Sequence, residues 1–434
     1  MRGVRETPVR TLRESLKHLT RAVHVFAAEL DQAGYSDYSF APDNSPYDLS
    51  FLSSRGLASR GEIITAAETI IRLAKGPQEA LAVLSEKSVE HGTLQALIQM
   101  GIPQKVPLDG SVTYKELAGP AQIAPDLLQR LVRLAAMGGF LLEDATGKVR
   151  HTAMSAVFHL DRDVADMTHF MCDIDMRAGT YFYDSIRLDS SGKTASQGPA
   201  ALALHARDYN NETRRTIWEV LENDPVQSAR FHSSMTALLA SPSHSLKHIV
   251  GAMDWSQFPT VVDVGGSLGQ IALAIVEKNP NITIIVQDLP DVIKQAKASL
   301  PSAPWVSQIT FEPHDFFTIQ QTRAPAYLLR QILHDWPNED AQRIVKNLLP
   351  AFETGTRLLV ADIVLPQSGS ISPHTEKLLR IYDVSMFSIF SSTERTLEQL
   401  RNLVEGCDPR LQFEGAHYPE GSALSLVSWI YNSE

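Results

Sequence analysis

The chain reads as an α/β protein: a Rossmann-like, doubly wound sheet with a final antiparallel strand, preceded by an α-helical region that includes a winged helix. Three observations carry that expectation. The stretch Thr260-Val-Val-Asp-Val-Gly-Gly-Ser-Leu-Gly269 runs from β-branched residues into glycines and then into the apolar positions Ile271, Leu273, Ala274 and Ile275. Strand, glycine turn and helix in that order open the nucleotide site of a doubly wound domain. Short apolar runs then alternate with helical patterns at 282–286, 309–311, 326–329 and 357–361, which predicts a mostly parallel sheet covered on both faces. Two β-rich runs, 411–417 and 424–430, close the chain with almost no helix between them, so the last strand is expected to be antiparallel.

The N-terminal half is expected to be helical. Leu12, Leu16, Leu19, Val23, Phe26 and Leu30 step by four and three, a stripe for docking one helix on its own or a partner subunit. Residues 35–60 shift to Ser, Pro, Asp and Gly and read as a loop or linker. Helical patterns follow at 62–73, 77–86 and 93–100. Thr113-Tyr-Lys-Glu116 has capping-box spacing, and 124–137 continues as a second helix with Leu127, Leu128, Leu131, Leu134 and Ala135 on one face. Residues 140–143 and 148–152 flank the turn Asp144-Ala-Thr-Gly147 and complete a winged helix as a hairpin. Its second helix offers only Arg130 and Arg133, too sparse a basic face for a DNA reader; a dimerisation module fits better. Residues 161–186 read as one long helix, with Phe170, Met171, Met176, Tyr181, Phe182 and Tyr183 as core or as apolar pocket wall. A polar loop at 190–199 and a linker at 241–245 follow.

At 434 residues the chain exceeds one ordinary domain. The expected division is a helical extension over 1–90, a winged-helix region with its connecting helix over 91–190, and a cofactor-binding catalytic domain over 191–434. Hydrophobic residues at 44% with 21% charged suit a soluble globular enzyme. A net charge of −11 disfavours nucleic acid and anionic membrane as partners. Cys172 and Cys407 alone provide neither a disulfide framework nor a thiolate metal site, and no metal is expected. No window holds the ~18 apolar residues of a spanning helix. The basic positions Arg2, Arg5, Arg10, Arg13, Lys17 and Arg21 faintly suggest a transit segment, but Glu6 and Glu14 count against it, so a cytoplasmic location is expected.

In open α/β sheets ligands sit outside the carboxyl ends of the strands. Four strands end there in ligand-type groups: Gly265-Gly266, Asp288, Asp315-Phe316 and Arg330. Asp288 follows Gly265 by 23 positions, where a carboxylate can accept bonds from both ribose hydroxyls. The same spacing serves nicotinamide enzymes. The fingerprint G-x-G-x-x-G is absent, however, which suits a cofactor with no pyrophosphate to cradle, such as S-adenosyl-L-methionine. Asp315 and Phe316 are either the walls of an adenine slot or an ordinary loop Asp and core Phe. His334, in Leu329-Arg-Gln-Ile-Leu-His-Asp-Trp336, is either a satisfied structural histidine or a general base, the role for which an imidazole near neutral pH is suited. Asp362 ends the next strand and Glu394 lies in Ser392-Thr-Glu-Arg-Thr396; carboxylates beside an imidazole would orient it.

These motifs resemble the plant- and fungal-type, caffeic-acid-type class of S-adenosylmethionine-dependent O-methyltransferases. The resemblance spans about residue 93 to the C-terminus. It rests on Val262-Asp-Val-Gly-Gly-Ser-Leu-Gly269, Gln287-Asp-Leu-Pro290, His314-Asp-Phe-Phe317, Leu333-His-Asp-Trp336, Glu394-Arg-Thr396, Val112-Thr-Tyr-Lys-Glu-Leu-Ala118 and Val149-Arg-His-Thr152. The resemblance implies that Gly265 and Gly266 approach the cofactor, Asp288 holds its ribose, Asp315 and Phe316 flank the adenine, and Arg330 stands in place of the family's usual Lys. His334 falls on the general base, with Asp362 and Glu394 on the acidic residues that brace it. Asp362 replaces the more usual Glu and is one methylene shorter. The segment 383–393 lacks the glycines common before Glu-Arg-Thr, and Met386, Phe387 and Phe390 are candidates for a substrate wall. The N-terminal ninety residues exceed what the plant enzymes carry and resemble fungal biosynthetic members. The implied protein is a homodimer that methylates a hydroxyl, phenolic by preference, of a small aromatic or polyketide-like natural product. Two alternatives remain: a methyltransferase-fold protein that uses the bound cofactor without methyl transfer, as a pericyclase or dehydratase, and a catalytically silent scaffold subunit.

Overall fold

The computed structural model describes residues 11–36, 38–39, 41, 49, 51–208 and 213–432. The basic positions Arg2, Arg5 and Arg10, with Glu6, lie outside the described residues, as does much of the expected linker at 35–60. Contacts divide the chain into two units. One comprises the described residues of Met1–Tyr183, Ala200–Leu238 and Ser372–Thr375; the other comprises those of Asp184–Pro199, Leu239–Ile371 and Glu376–Glu434. Among the described residues no helix is long and apolar enough to cross a membrane.

In the first unit, helix Leu12–Gln32 starts at a capping box in which Thr11 N donates to Glu14 Oε2 (2.8 Å). It packs on helix Ser54–Gln99, whose cap residue Ser53 donates through Oγ to Glu29 Oε1 (2.6 Å). The expected loop therefore ends at Ser53 rather than at residue 60. The backbone of this second helix is non-helical at Gly76 (φ 68°, ψ 174°), just before Pro77, so the expected boundary between 62–73 and 77–86 stands, while the expected helices 77–86 and 93–100 run on as one. Polar residues such as Ser85, Lys87 and Ser88 interrupt the apolar period there without interrupting the backbone hydrogen bonds, so period alone reads as a gap. The leucine stripe divides as well. Leu30 is buried and Leu19 and Phe26 are half-buried, whereas Leu12, Leu16 and Val23 face outward.

Helices Tyr114–Ala121 and Pro125–Met137 and the hairpin of β1 (Leu141–Glu143) and β2 (Val149–His151) form the winged helix. Leu97, Ile102, Leu117, Leu128, Val132, Leu141 and Val149 make its core. Arg133, one of the two basic residues on the second helix, holds Glu143 through two bonds of 2.9 Å. Leu127 and Leu134 are exposed, because Leu128 and Val132 point into the core from the neighbouring face. The expected helix 161–186 is three helices, Arg162–Asp173, Asp175–Gly179 and Phe182–Leu188. The first break falls at Ile174 (φ −104°, ψ −69°).

The second unit is built on seven strands: β3 (Thr260–Val264), β4 (Thr283–Asp288), β5 (Ile309–Pro313), β6 (Ala326–Arg330), β7 (Arg357–Asp362), β10 (Leu411–His417) and β11 (Ser425–Tyr431). A separate two-residue pair, β8 (Val364–Leu365) and β9 (Arg395–Thr396), accompanies them. The sheet order is β10-β11-β7-β6-β3-β4-β5. Strands β3 to β7 are parallel, and β11 is antiparallel to both β7 and β10, as the short final connection requires.

Alternation along the strands supplies two cores. Val261, Ile284, Val286 and Leu328 meet Ile271 and Ile275 on one face. Val262, Val264, Tyr327, Leu329 and Val360 meet Ile344, Val345 and Leu403 on the other. The chain leaves β3 toward β4 and β5, then returns to β6 on the opposite side. The carboxyl ends of β3 and β6 therefore flank the switch point where such sheets bind ligands.

Candidate active site

At the end of β3 the chain turns through Gly265 (φ 69°), Ser267 (φ 52°) and Gly269 (φ 78°) into helix Gln270–Lys278. A Cβ on Gly265 would lie 2.6 Å from Ile332 Cδ1, and one on Gly266 would collide with the Asp263 carboxylate and come within 2.9 Å of Val286 Cγ1. Gly265 is favoured by its dihedral angle and Gly266 by the space around it. Asp288, at the end of β4, accepts from Ser267 N and from Leu289 N, each at 2.8 Å, which fixes its carboxylate against the turn. Asp263 is buried inside β3, and its Oδ2 has no hydrogen-bond partner among the described residues. Burial pushes its pKa up to about 7, against the pull of Arg330.

Arg330 ends β6. Its Nε and Nη2 are buried and likewise without hydrogen-bond partners among the described residues. Burial lowers its pKa to about 10, and the fields of Asp263 and Asp362 partly offset that. A cation and an anion that both keep unused bonding capacity in the same buried place could hold the zwitterionic end of an amino-acid-bearing ligand. Gln331 follows in the left-handed region (φ 53°), which turns the chain out of the strand. After β5, Asp315 accepts from Phe317 N (2.9 Å) and is exposed. Phe316 brings Cε1 within 3.4 Å of the Gly265 Cβ position and meets Trp336 edge-on, with centroids 6.1 Å apart. Asp315 and Phe316 could therefore border a flat ring beside the glycine turn.

His334 lies in a short 3₁₀ turn, Leu333–Asp335, and is buried. Its Nδ1 meets Glu394 Oε1 at 2.7 Å, and its Nε2 lies 3.4 Å from Asp335 Oδ1. Burial alone would lower the ring's pKa, but the charges of Glu394 and then Asp335 win and push it up to about 10. Asp335 and Asp362 go the other way: burial raises them to about 7 and about 6, opposed by the cationic ring. With Nδ1 held by Glu394 at 2.7 Å, the more loosely paired Nε2, 3.4 Å from Asp335 Oδ1, is the nitrogen that could exchange a proton with a ligand.

The structure thus brings Glu394 onto His334 but gives Asp362 no hydrogen bond to the ring. Asp362 carries an unpartnered Oδ1 and acts on His334 through its charge alone. Gly265, Gly266, Asp288, Phe316 and Arg330 gather at the switch point, with Asp315 on its exposed side.

Four residues escaped the sequence reading. Asp263 was signalled by a carboxylate inside a β-branched run, and Asp335 by its place next to His334. Arg395 sits beside Glu394. His244, in the stretch read as a linker, gave no signal at all. It is buried against Tyr382 (5.3 Å between centroids), and burial, then Arg330 and His334, lower its pKa to about 4.

A family profile described as an O-methyltransferase domain matches residues 199–407. The O-methyltransferase FrzF of Cladobotryum sp is 56% identical over 425 residues, covering 98% of this chain and 100% of that protein. The 6-hydroxytryprostatin B O-methyltransferase of Neosartorya fischeri is 42% identical, covering 96% and 99%. Among solved structures, OxaC superposes with a TM-score of 0.77 at 20% identity, covering 97% of this chain and 99% of that one. A complex of LepI with SAM gives 0.69 at 20% identity, covering 95% and 100%. The two structural likenesses speak for the fold, and the identity shared with whole fungal enzymes speaks for the family: the chain belongs to the plant- and fungal-type O-methyltransferases.

Proposed function

We propose that this enzyme transfers the methyl group of S-adenosyl-L-methionine to a phenolic hydroxyl of a small aromatic natural product, with His334 as general base. The observation that carries the reading is the buried pair of His334 and Glu394 at 2.7 Å beside the switch point. When bound, the cofactor supplies an electrophilic sulfonium methyl. Gly265 and Gly266 leave room for it, Asp288 would accept from its ribose, and Asp315 and Phe316 would border its adenine. The unused donors of Arg330 and the unused Oδ2 of Asp263 would take its carboxylate and ammonium.

His334 would accept the hydroxyl proton at Nε2 while Glu394 holds Nδ1 and stabilises the imidazolium. Against its burial, the charges of Glu394 and Asp335 raise the ring's pKa, so the neutral ring is a stronger acceptor for a hydroxyl proton than a free imidazole. The relative named for 6-hydroxytryprostatin B makes that compound the first acceptor to try. The domain division at about residues 90 and 190 and the homodimer belong to the same proposal. Leu12, Leu16, Leu81, Leu84, Leu127, Leu134 and Met137 leave an apolar surface on the N-terminal unit that a second copy would cover.

Incubation with methyl-labelled cofactor, 6-hydroxytryprostatin B and a panel of phenols tests the reading. Labelled product from the wild type, and its loss in His334→Ala with cofactor affinity kept, is the expected result. Rearranged or dehydrated product without label would overturn methyl transfer, and full turnover by His334→Ala would overturn the base.

A further inference from the structure

We infer that Arg395 is the positioning residue of this site: it clamps both ends of the turn that carries His334, so that the imidazole is aimed by its backbone as well as by Glu394. The inference rests on the proposed role of His334 and deepens it.

Three bonds make the clamp. Arg395 Nη1 donates to Leu333 O (2.6 Å), Nη2 to Trp336 O (2.7 Å) and Nε to Asn338 Oδ1 (3.1 Å). One planar guanidinium thus spans the residue before His334, the residue two after it and the first residue of the following helix. Lysine, with a single nitrogen, cannot reproduce that fork. The guanidinium is buried with the residue 4% exposed, so the two carbonyls have no water to fall back on if it is lost.

The clamp is itself anchored. Arg395 and Thr396 form β9, paired in parallel with Val364 and Leu365 of β8, two residues beyond Asp362. Glu394 N donates to Asp383 Oδ1 at 3.0 Å, which ties the same segment to helix Pro373–Phe390. Two consecutive residues therefore act on His334 from one fixed strand: Glu394 holds the ring and Arg395 holds the main chain on either side of it.

The charge balance agrees. Burial lowers the pKa of Arg395, and Asp362 and Glu394 oppose that. Asp362, which makes no hydrogen bond to His334, thus serves as counter-charge to the clamp and to Arg330. The charged groups acting on His334 are Asp335 on its own turn, Asp362 from β7 and Glu394 before β9; in turn His334 acts on His244 from the 3₁₀ helix Pro242–His244. Trp336, whose carbonyl is held, also packs its indole on Phe317 with centroids 4.7 Å apart, so the same turn braces the aromatic side of the cofactor region.

Arg395→Met, Arg395→Lys and Asn338→Ala test the clamp against His334→Ala. Turnover, affinity for S-adenosylhomocysteine by calorimetry, melting temperature and the His334 ring titration by nitrogen-15 NMR are read for each. A reacting group displaced by about 1 Å loses on the order of 10²-fold in rate. Arg395→Met is therefore expected to lose about 10²-fold in kcat, with affinity within about threefold and a displaced His334 titration. Arg395→Lys should recover part of the loss, and Asn338→Ala should show a smaller change of the same kind. If Arg395→Met does not fold, the lysine and Asn338 variants decide. Folded Arg395→Lys and Asn338→Ala with wild-type kcat and titration would overturn the clamp. If His334→Ala is inactive while those two are fully active, only the clamp fails; if His334→Ala is itself active, the base assignment fails.

Discussion

Glu394→Gln isolates the carboxylate charge at His334 while keeping size and one acceptor oxygen. The contact is 2.7 Å long, and Glu394 is 1% exposed, so no water can substitute for the lost charge. A hydrogen bond to a charged group contributes roughly 1.5–3 kcal/mol. At about 1.36 kcal/mol per tenfold in rate, kcat should fall about 10- to 150-fold, if the imidazolium develops as the methyl moves. Affinity for S-adenosylhomocysteine should hold within about threefold, because the bonds of Glu394 go to His334 and Asp383 rather than to the glycine turn.

The sign of the pH effect follows from the same contact. Glu394 favours the protonated ring, so its neutral replacement lowers the ring's pKa from about 10 and moves the acid limb of the kcat profile to lower pH. Stability shifts with it. A histidine whose folded pKa lies above its unfolded value stabilises the fold fully below about pH 6.5, and that contribution is lost as pH rises through about 10. The melting temperature of Glu394→Gln should therefore show a weaker decline over that window than the wild type. Initial rates with methyl-labelled cofactor from pH 6 to pH 10, paired with thermal melts, make the measurement. Wild-type kcat and an unmoved acid limb in a folded Glu394→Gln would refute the coupling.

Three further outcomes are expected. Gly265→Ala adds a Cβ at φ 69° and 2.6 Å from Ile332 Cδ1, which should cost about 1–3 kcal/mol of stability and sharply weaken cofactor binding, as read by thermal melts and calorimetry. Arg330→Met removes the unpartnered donors and leaves Asp263 without its cation; affinity for S-adenosylhomocysteine should fall at least about tenfold, by calorimetry. Leu84→Glu with Met137→Glu places charge on exposed apolar positions of the N-terminal unit, and sedimentation velocity should then report monomer where the wild type reports dimer.

Where the sequence could be read, local chemistry left little choice. The doubly wound sheet was legible because buried parallel strands demand runs such as 261–264 and 326–329, and because a glycine turn after the first of them has one common structural meaning. The winged helix was legible from the Thr113–Glu116 capping box and the Asp144–Gly147 turn. Helix continuity was not. Gly76-Pro77 marked its own break, but the run-on of 77–100 and the break at Ile174 depend on how each segment packs, so period alone placed a gap at 86–93 and missed those in 161–186. The outward-facing part of the leucine stripe, Leu12, Leu16 and Val23, was likewise invisible to a pattern that counts apolar residues without knowing what covers them.

The sequence by itself determined the fold class, the glycine turn, the strand-end residues Asp288 and Arg330, and the pairing of a histidine with a carboxylate sixty residues away as a candidate. The first three follow from residue type and spacing along the chain; the last is what the resemblance of Leu333–Trp336 and Glu394–Thr396 to the family's motifs implies. Tertiary structure decided which carboxylate touches His334. Glu394 reaches Nδ1, while Asp362, one methylene shorter than the residue its position usually carries, acts only through its field. Structure alone also found the Arg395 clamp and the buried neutral His244. Hydrogen bonds between segments distant in sequence leave no periodic trace, and a pKa is set by burial and neighbouring charge, which exist only once the chain is folded.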